Sequence, residues 1–168
     1  MPTVCPQQIA ELFDRHAGAL ELYASTWTRQ PDDCVQEAFI ALARETEAPG
    51  NTLAWLYKVT RNLALNSLRS RDRRQKHETA AINHEIKSVA NPASDAEQND
   101  RNQFLQTQLS ELSLQDRELI VARIWGGLTW QQLSTLMDLP KSTVERRYHK
   151  ALSRFKKLLE SKCTTDLL

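Results

Sequence analysis

Apolar residues recur at intervals of three and four through most of this 168-residue chain, the spacing of a helix face and not the alternation of a strand. In the first segment Ile9, Leu12, Phe13, Ala17, Leu20, Ala24 and Trp27 lie on one stripe. Pro31 stops that helix. Asp32 and Asp33 offer a cap and favourable negative charge to the next one, whose stripe is Val35, Ala38, Phe39 and Leu42. Pro49, Gly50 and Asn51 make a loop, and Thr52 opens a third helix that runs through about Arg71.

The pattern then lapses. Residues 78–100 hold five acids (Glu78, Glu85, Asp95, Glu97 and Asp100), one Lys and few large apolar residues, the composition of a flexible linker. The periodicity returns at Leu105, Leu109 and Leu112, and the punctuation becomes clear. Ser113 to Asp116 resembles a capping box opening a helix, which Gly126 and Gly127 end. Thr129 with Gln132 forms a second box and Ser142 with Glu145 a third. Between these two boxes stand a short helix, WQQLSTLM, and a four-residue turn, DLPK. Short helix, tight turn and longer helix are the layout of a helix-turn-helix. The expected architecture is therefore all-α: a small helical domain at 1–77, a flexible linker at 78–100, and a second helical domain at 101–168 containing the helix-turn-helix.

Composition fits a soluble globular protein, since 40% hydrophobic residues suffice for a core. No apolar run approaches the roughly 20 residues of a membrane span. The N-terminus lacks the basic-then-apolar order of a secretory signal, so a cytoplasmic location is expected. Cys5, Cys34 and Cys163 are too widely spaced for a zinc site or a disulfide framework and read as reduced thiols, Cys34 in a packing role. There is no phosphate-binding loop, no cluster of His and Cys at metal-ligand spacing and no nucleophile with a recognisable base; His16, His77, His84 and His149 are scattered. No catalytic activity and no cofactor are expected.

Charge changes the picture, because a net charge of +1 conceals strong local separation. Residues 141–157 carry Lys141, Arg146, Arg147, Lys150, Arg154, Lys156 and Lys157 against one acid, Glu145. In a helix-turn-helix the N-terminal end of the second helix meets base edges in the major groove. Val144, Tyr148, Ala151, Leu152, Phe155 and Leu158 form the stripe that packs inward onto Leu133 and Leu136, which turns Lys141, Ser142, Glu145, Arg146, Lys150 and Arg147 outward. A solvated basic face is the plainer reading of the charge, but caps, turn and basic helix start together favour duplex DNA. Glu145 has two readings, a capping partner for Ser142 or an acceptor for cytosine N4. A second basic cluster at 57–77 holds Lys58, Arg61, Arg69, Arg71, Arg73, Arg74 and Lys76 against Asp72. Trp55, Tyr57, Asn62 and Asn66 are interleaved with it, a mixture suited to unpaired bases, although Trp55 and Tyr57 could equally be core residues. The helix at 32–47 is opposite in sign, with Asp32, Asp33, Glu37, Glu45 and Glu47 against Arg44. Its acidic surface suits a protein partner or simply solvent.

Three stretches in order resemble the extracytoplasmic-function group of bacterial RNA polymerase sigma factors. DDCVQEAFIALAR (Asp32 to Arg44) is similar to the region 2 segment that binds the clamp helices of the largest polymerase subunit. NTLAWLYKVTRNLALNSLRSRDRR (Asn51 to Arg74) is similar to the segment that recognises and melts the −10 element, and the stretch from Leu109 to Leu158 is similar to region 4, which reads the −35 element as duplex. The resemblance implies that Asp33, Gln36, Glu37 and Phe39 face or support the polymerase contact. It implies that Arg61, Asn62, Asn66 and Arg69 handle the −10 strand, with a flipped base held near the loop from Thr46 to Thr52. Lys141, Ser142, Thr143, Glu145, Arg146, Arg147 and Lys150 then lie along the duplex-reading helix. Implied partners are core RNA polymerase, including the flap of the second-largest subunit, promoter DNA, and in this group commonly an anti-sigma factor. The chain departs from the family pattern at Ser142, where Gly is usual, at Glu145, where a basic residue is frequent, at Arg146, where a small polar residue is common, and at Asn66, which replaces a frequent Asp.

A linker of this length has an r.m.s. span of about 25–30 Å, which would let the two domains engage sites more than one DNA turn apart. The competing readings are a helix-turn-helix regulator that acts without polymerase and an adaptor that binds only proteins. Neither needs both the acidic helix and the basic, aromatic one.

Overall fold

The computed structural model describes residues 4–77 and 96–163, and every regular element in them is an α-helix. The chain divides into two compact units, Met1–Lys87 and Ser88–Leu168.

The first unit contains α1 (Pro6–Ala24), α2 (Pro31–Arg44) and α3 (Thr52–His77), each packed against the other two. α1 stops at Ala24, before the expected Trp27; the N–H of Trp27 donates to Ala24 O at 3.0 Å in the turn that follows. Pro31 is the first residue of α2 and Gln30 its cap, so Asp32 and Asp33 do not cap the helix as expected. The reason is that proline has no N–H to lose and a preset φ at that position. Both aspartates fall in the first turn, where they still oppose the positive end of the helix dipole. Asn51, read as loop, caps α3: its Oδ1 accepts the Ala54 N–H at 2.9 Å. α3 continues past the expected Arg71 to His77, because Arg, Gln and Lys are good helix formers without an apolar stripe.

Leu20, Val35, Ala38, Leu42, Leu56 and Ala64 are fully buried at the centre of this unit. Tyr23 lies among them and meets Trp27 and Tyr57 edge to face, with ring centroids 5.0 and 4.8 Å apart. Such pairs add about 0.5–1.5 kcal/mol each beyond the area they bury. Tyr57 has no exposed surface, which decides between its two readings: it is a core residue and not a stacking platform. Cys34 is buried as well. Burial and the carboxylates of Glu37, Asp33 and Asp32 push its thiol up to about 11, as a packing role requires.

The second unit contains α4 (Ala96–Ser110), α5 (Leu114–Ile124), α6 (Trp130–Met137) and α7 (Lys141–Cys163). Of the segment read as linker, residues 78–95 lie outside the described residues, but 96–100 open α4 and correct that boundary. Low apolar content concealed a helix for which Ala, Glu and Gln have sufficient intrinsic propensity. Leu109, Leu112, Leu119, Ile120, Leu128, Leu133, Val144, Ala151 and Phe155 form the core. α4 ends against Arg117, whose Nε donates to Leu109 O at 2.8 Å and Nη2 to Ser110 O at 2.9 Å. These bonds satisfy carbonyls that a helix end leaves open. Burial holds the Arg117 guanidinium below its ordinary pKa.

Candidate nucleic-acid interface

α6, its turn and α7 form the expected helix-turn-helix, and the local chemistry shows why the turn is tight. The Thr129 hydroxyl accepts the Gln132 N–H at 3.2 Å while Gln132 Oε1 accepts the Thr129 N–H at 2.7 Å, a complete capping box at the start of α6. Asp138 ends α6 in the left-handed region with φ 53°, a conformation that Asp adopts more readily than most side chains. The Ser134 hydroxyl then donates to Leu139 O at 2.6 Å and the Leu139 N–H returns to Ser134 O at 3.1 Å, which pins the turn. Of the box expected at the start of α5 only half is present: Ser113 Oγ accepts the Asp116 N–H at 3.2 Å.

The third expected box is absent. α7 begins at Lys141, and its first helical bond runs from the Val144 N–H to Pro140 O at 3.1 Å, so Ser142 is already inside the helix and cannot cap it. Glu145 instead approaches Lys141, with Nζ to Oε1 at 3.9 Å. Val144, Ala151 and Phe155 are buried as expected, while Tyr148, Leu152 and Leu158 are half-buried. Lys141, Ser142, Arg146 and Lys150 are exposed, and Thr143, Glu145 and Arg147 are half-buried. Arg147 is not simply outward: its Nη1 donates to Gln115 Oε1 at 2.9 Å, about two turns before Arg154 pairs with Asp116 at 3.0 Å. Both bonds tie α7 to the start of α5.

Sequence reasoning missed an aromatic cluster beside this helix. Trp130 lies 5.2 Å from Tyr148 and 6.2 Å from His149, and the Arg123 guanidinium covers its ring at 4.3 Å. Arg123 also donates to Leu128 O at 2.6 Å, so one side chain fixes both the α5–α6 connection and the first residue of α6. Gly127 within that connection has φ 66°, where glycine is unstrained. An Arg spaced seven residues before a Trp is too common a pattern to have revealed the contact.

On α3, Asn62, Asn66 and Arg69 are exposed, as are Lys58 and Arg73 at the same three- and four-residue spacing, so they form one polar, basic stripe. Arg61 does not join it. It is half-buried, with its guanidinium 5.9 Å from the Trp27 ring. Trp55 is half-buried near the start of the helix. In the loop before α3 the side chains of Asn51 and Thr52 are engaged locally, Asn51 as the cap and Thr52 Oγ1 against Pro49 O at 3.4 Å.

On α2, Asp33, Gln36 and Glu37 are exposed, whereas Phe39 is 5% exposed and sits 5.1 Å from Phe13, edge to face. Phe39 can therefore support that surface but not meet a partner. Ile40 was not anticipated: it is 50% exposed and follows Gln36 and Glu37 on the same face. The missed signal was an Ile lying outside the stripe of Val35, Ala38, Phe39 and Leu42.

The Sigma-70 region 2 family profile matches residues 12–74, and the Sigma-70, region 4 profile matches residues 104–155. The chain is similar to the ECF RNA polymerase sigma factor SigL of Mycobacterium tuberculosis, with 26% identity over 160 residues, covering 89% of this chain and 87% of that protein. It is also similar to the ECF RNA polymerase sigma-E factor of Escherichia coli, with 29% identity over 130 residues and coverage of 71% and 68%. Among solved structures, the fold resembles the sigma factor RpoE in complex with the anti-sigma factor NepR from Bartonella quintana, with a TM-score of 0.73 at 20% identity over 93% of this chain and 98% of that one. It also resembles CnrH in complex with the cytosolic domain of CnrY, with a TM-score of 0.65 at 19% identity over 95% and 92%.

Proposed function

The chain belongs to the extracytoplasmic-function group of sigma-70-type RNA polymerase sigma factors, and from that premise we propose how its two units divide the work of promoter recognition. The protein is an RNA polymerase-associated transcription initiation factor. Residues 1–77 bind core polymerase through Asp33, Gln36 and Glu37 on α2, with Phe39 holding that face from beneath. The same domain handles the −10 element through Asn62, Asn66 and Arg69, while Arg61 orders the helix against Trp27. Residues 101–168 read the −35 duplex through the start of α7, where Lys141, Ser142, Thr143, Glu145, Arg146 and Lys150 meet the groove and Arg147 braces the helix. The segment between His77 and Ala96 connects the two.

The observation that carries this reading is the exposed acidic face of α2 beside a separate basic stripe on α3. An operator-binding regulator needs neither. Phosphate attracts the basic stripe and repels the acidic one, so one domain can face protein and DNA at once. Opening the −10 element needs no hydrolysis, since flipping a base costs a few kcal/mol and stacking with backbone contacts can offset it. Sigma factors are non-enzymatic, and this chain acts without catalytic activity of its own. No helix among the described residues is long and apolar enough to cross a membrane; the work is done in the cytoplasm, where polymerase and promoter DNA are. A protein of the anti-sigma class, such as the one seated on RpoE, is a further partner.

The test is whether the purified chain co-migrates with core polymerase and directs initiation on genomic fragments, with a Gln36→Ala, Glu37→Ala double variant as control. Initiation that depends on the added chain and falls in the control supports the assignment. Duplex binding with no polymerase association sinks it and favours the operator-binding regulator.

A further inference from the structure

We propose that Glu145 is a specificity-determining residue that selects cytosine in the −35 duplex, an inference that rests on α7 being the duplex-reading helix. Three features of α7 point to it. The first is that Glu145 has no capping role: α7 opens at Lys141 on the carbonyl of Pro140, which leaves Ser142 inside the helix. The second is the order of its ion pair. Lys141 precedes Glu145 by four residues at 3.9 Å, which is the less favourable orientation in a helix and sets a cation against the positive end of the dipole. The Lys141 side chain is 57% exposed and that of Glu145 38%, so solvent screens the pair and it contributes little to folding. The third is location. Glu145 is the lone acid among the seven cations of residues 141–157, next to the exposed Arg146 and within the first turn and a half of the helix. That is the part of a recognition helix that meets base edges.

An acid there weakens attraction to every phosphate, so it lowers affinity for all sequences alike unless a base repays it. Cytosine does so through its N4 donor. Guanine presents only O6 and N7 acceptors in the major groove, thymine presents the O4 acceptor, and adenine sets its N7 acceptor beside its N6 donor. Against those edges a desolvated carboxylate meets repulsion or loses hydrogen bonds it had to water. Glu145 therefore discriminates by exclusion as much as by attraction. Lys141 takes up one carboxylate oxygen and aims the group, and because a carboxylate accepts at both oxygens a cytosine amino group can still donate to it.

The experiment uses the holoenzyme, reconstituted from core polymerase and the full chain, and selects from promoter duplexes randomised across the −35 segment. The wild-type holoenzyme should enrich one position for cytosine, by on the order of tenfold to a hundredfold over guanine. Glu145→Ala should relax that position alone. Glu145→Gln should move its preference to adenine, which a glutamine amide pairs bidentately. A purely structural residue would not redirect the choice of base in this way. If both variants enrich the same sequence as wild type, or bind every sequence more tightly by one common factor, Glu145 is only a repelling charge and the proposal is wrong. If the wild-type holoenzyme enriches no −35 sequence, the assignment of α7 as the reading helix fails with it.

Discussion

Ile40 offers the most direct test of the proposed polymerase-binding face on α2, because its contribution can be worked from its exposure. Fully burying an isoleucine side chain is worth about 1.5–3 kcal/mol. Half of Ile40 is already covered in the free chain, so docking can gain about half of that range. Ile40→Ala retains Cβ and removes most of the rest, and should weaken association with core polymerase by about 1 kcal/mol, roughly fivefold in Kd. Folding should scarcely change, since Ala is the better helix former and the site is half in solvent. Ile40→Arg should weaken binding further by placing a solvated cation against an apolar contact. The assay is a fluorescence-anisotropy titration of the labelled full chain with core polymerase, run beside the Gln36 and Glu37 double variant. If the double variant weakens binding while Ile40→Ala leaves Kd unchanged, the polar part of α2 is the contact and the apolar anchor is not.

Arg117→Met keeps the buried stem but abandons the carbonyls of Leu109 and Ser110 at the end of α4, and should cost about 2 kcal/mol or more in a urea titration. Tyr57→Phe should be neutral or stabilising by up to about 1 kcal/mol at pH 7, because the Tyr57 hydroxyl is buried without a protein partner. Burial also raises the Tyr57 phenol above its ordinary 10.0. Its contribution to stability is thus intact below that pH and lost as pH rises through the folded value, so the variant's advantage should widen above pH 10. Equal alkaline sensitivity of the two proteins would contradict this. Lys150→Ala should reduce the slope of log K against log salt for duplex binding by about 0.9 and weaken all sequences alike. A loss confined to one sequence would make Lys150 a base reader.

The helices were legible in the sequence because their signals are local. Pro31, Asn51 with Gly50, and Gly126 with Gly127 punctuate them, and the three- and four-residue spacing of Val35, Ala38, Phe39 and Leu42 marks a buried face that the fold retains. What escaped depends on neighbours far along the chain. Nothing near Arg117 announces that it will close α4, and Arg123 meets Trp130 only once the α5–α6 connection has folded back. Tyr23 and Tyr57 stand 34 residues apart and acquire their meaning from each other. Caps failed for another reason. The pairs Ser142 with Glu145 and Thr129 with Gln132 share one spacing, yet only the second forms, because α7 opens at Lys141 on the carbonyl of Pro140 and so places Ser142 inside the helix. For the candidate site, residue types marked which helices carry the charged faces, but not which of their side chains the fold leaves available.

Availability separates affinity from selectivity in α7. Of the seven cations in residues 141–157, Lys141 is paired with Glu145, Arg147 is bonded to Gln115 and Arg154 is paired with Asp116. A helix built only to hold a polyanion would turn all of them to the phosphates. Spending two arginines on the start of α5 instead fixes the angle at which α7 leaves the domain, and with it the placement of Ser142, Arg146 and Lys150. Base recognition depends on that placement, whereas phosphate attraction tolerates considerable disorder. The arrangement therefore gives up part of the sequence-independent attraction that would hold the chain on any duplex. On the proposed reading, selectivity rests with a few side chains at the start of one rigid helix, which is what the salt slope of Lys150→Ala and the base choice of Glu145→Gln measure separately.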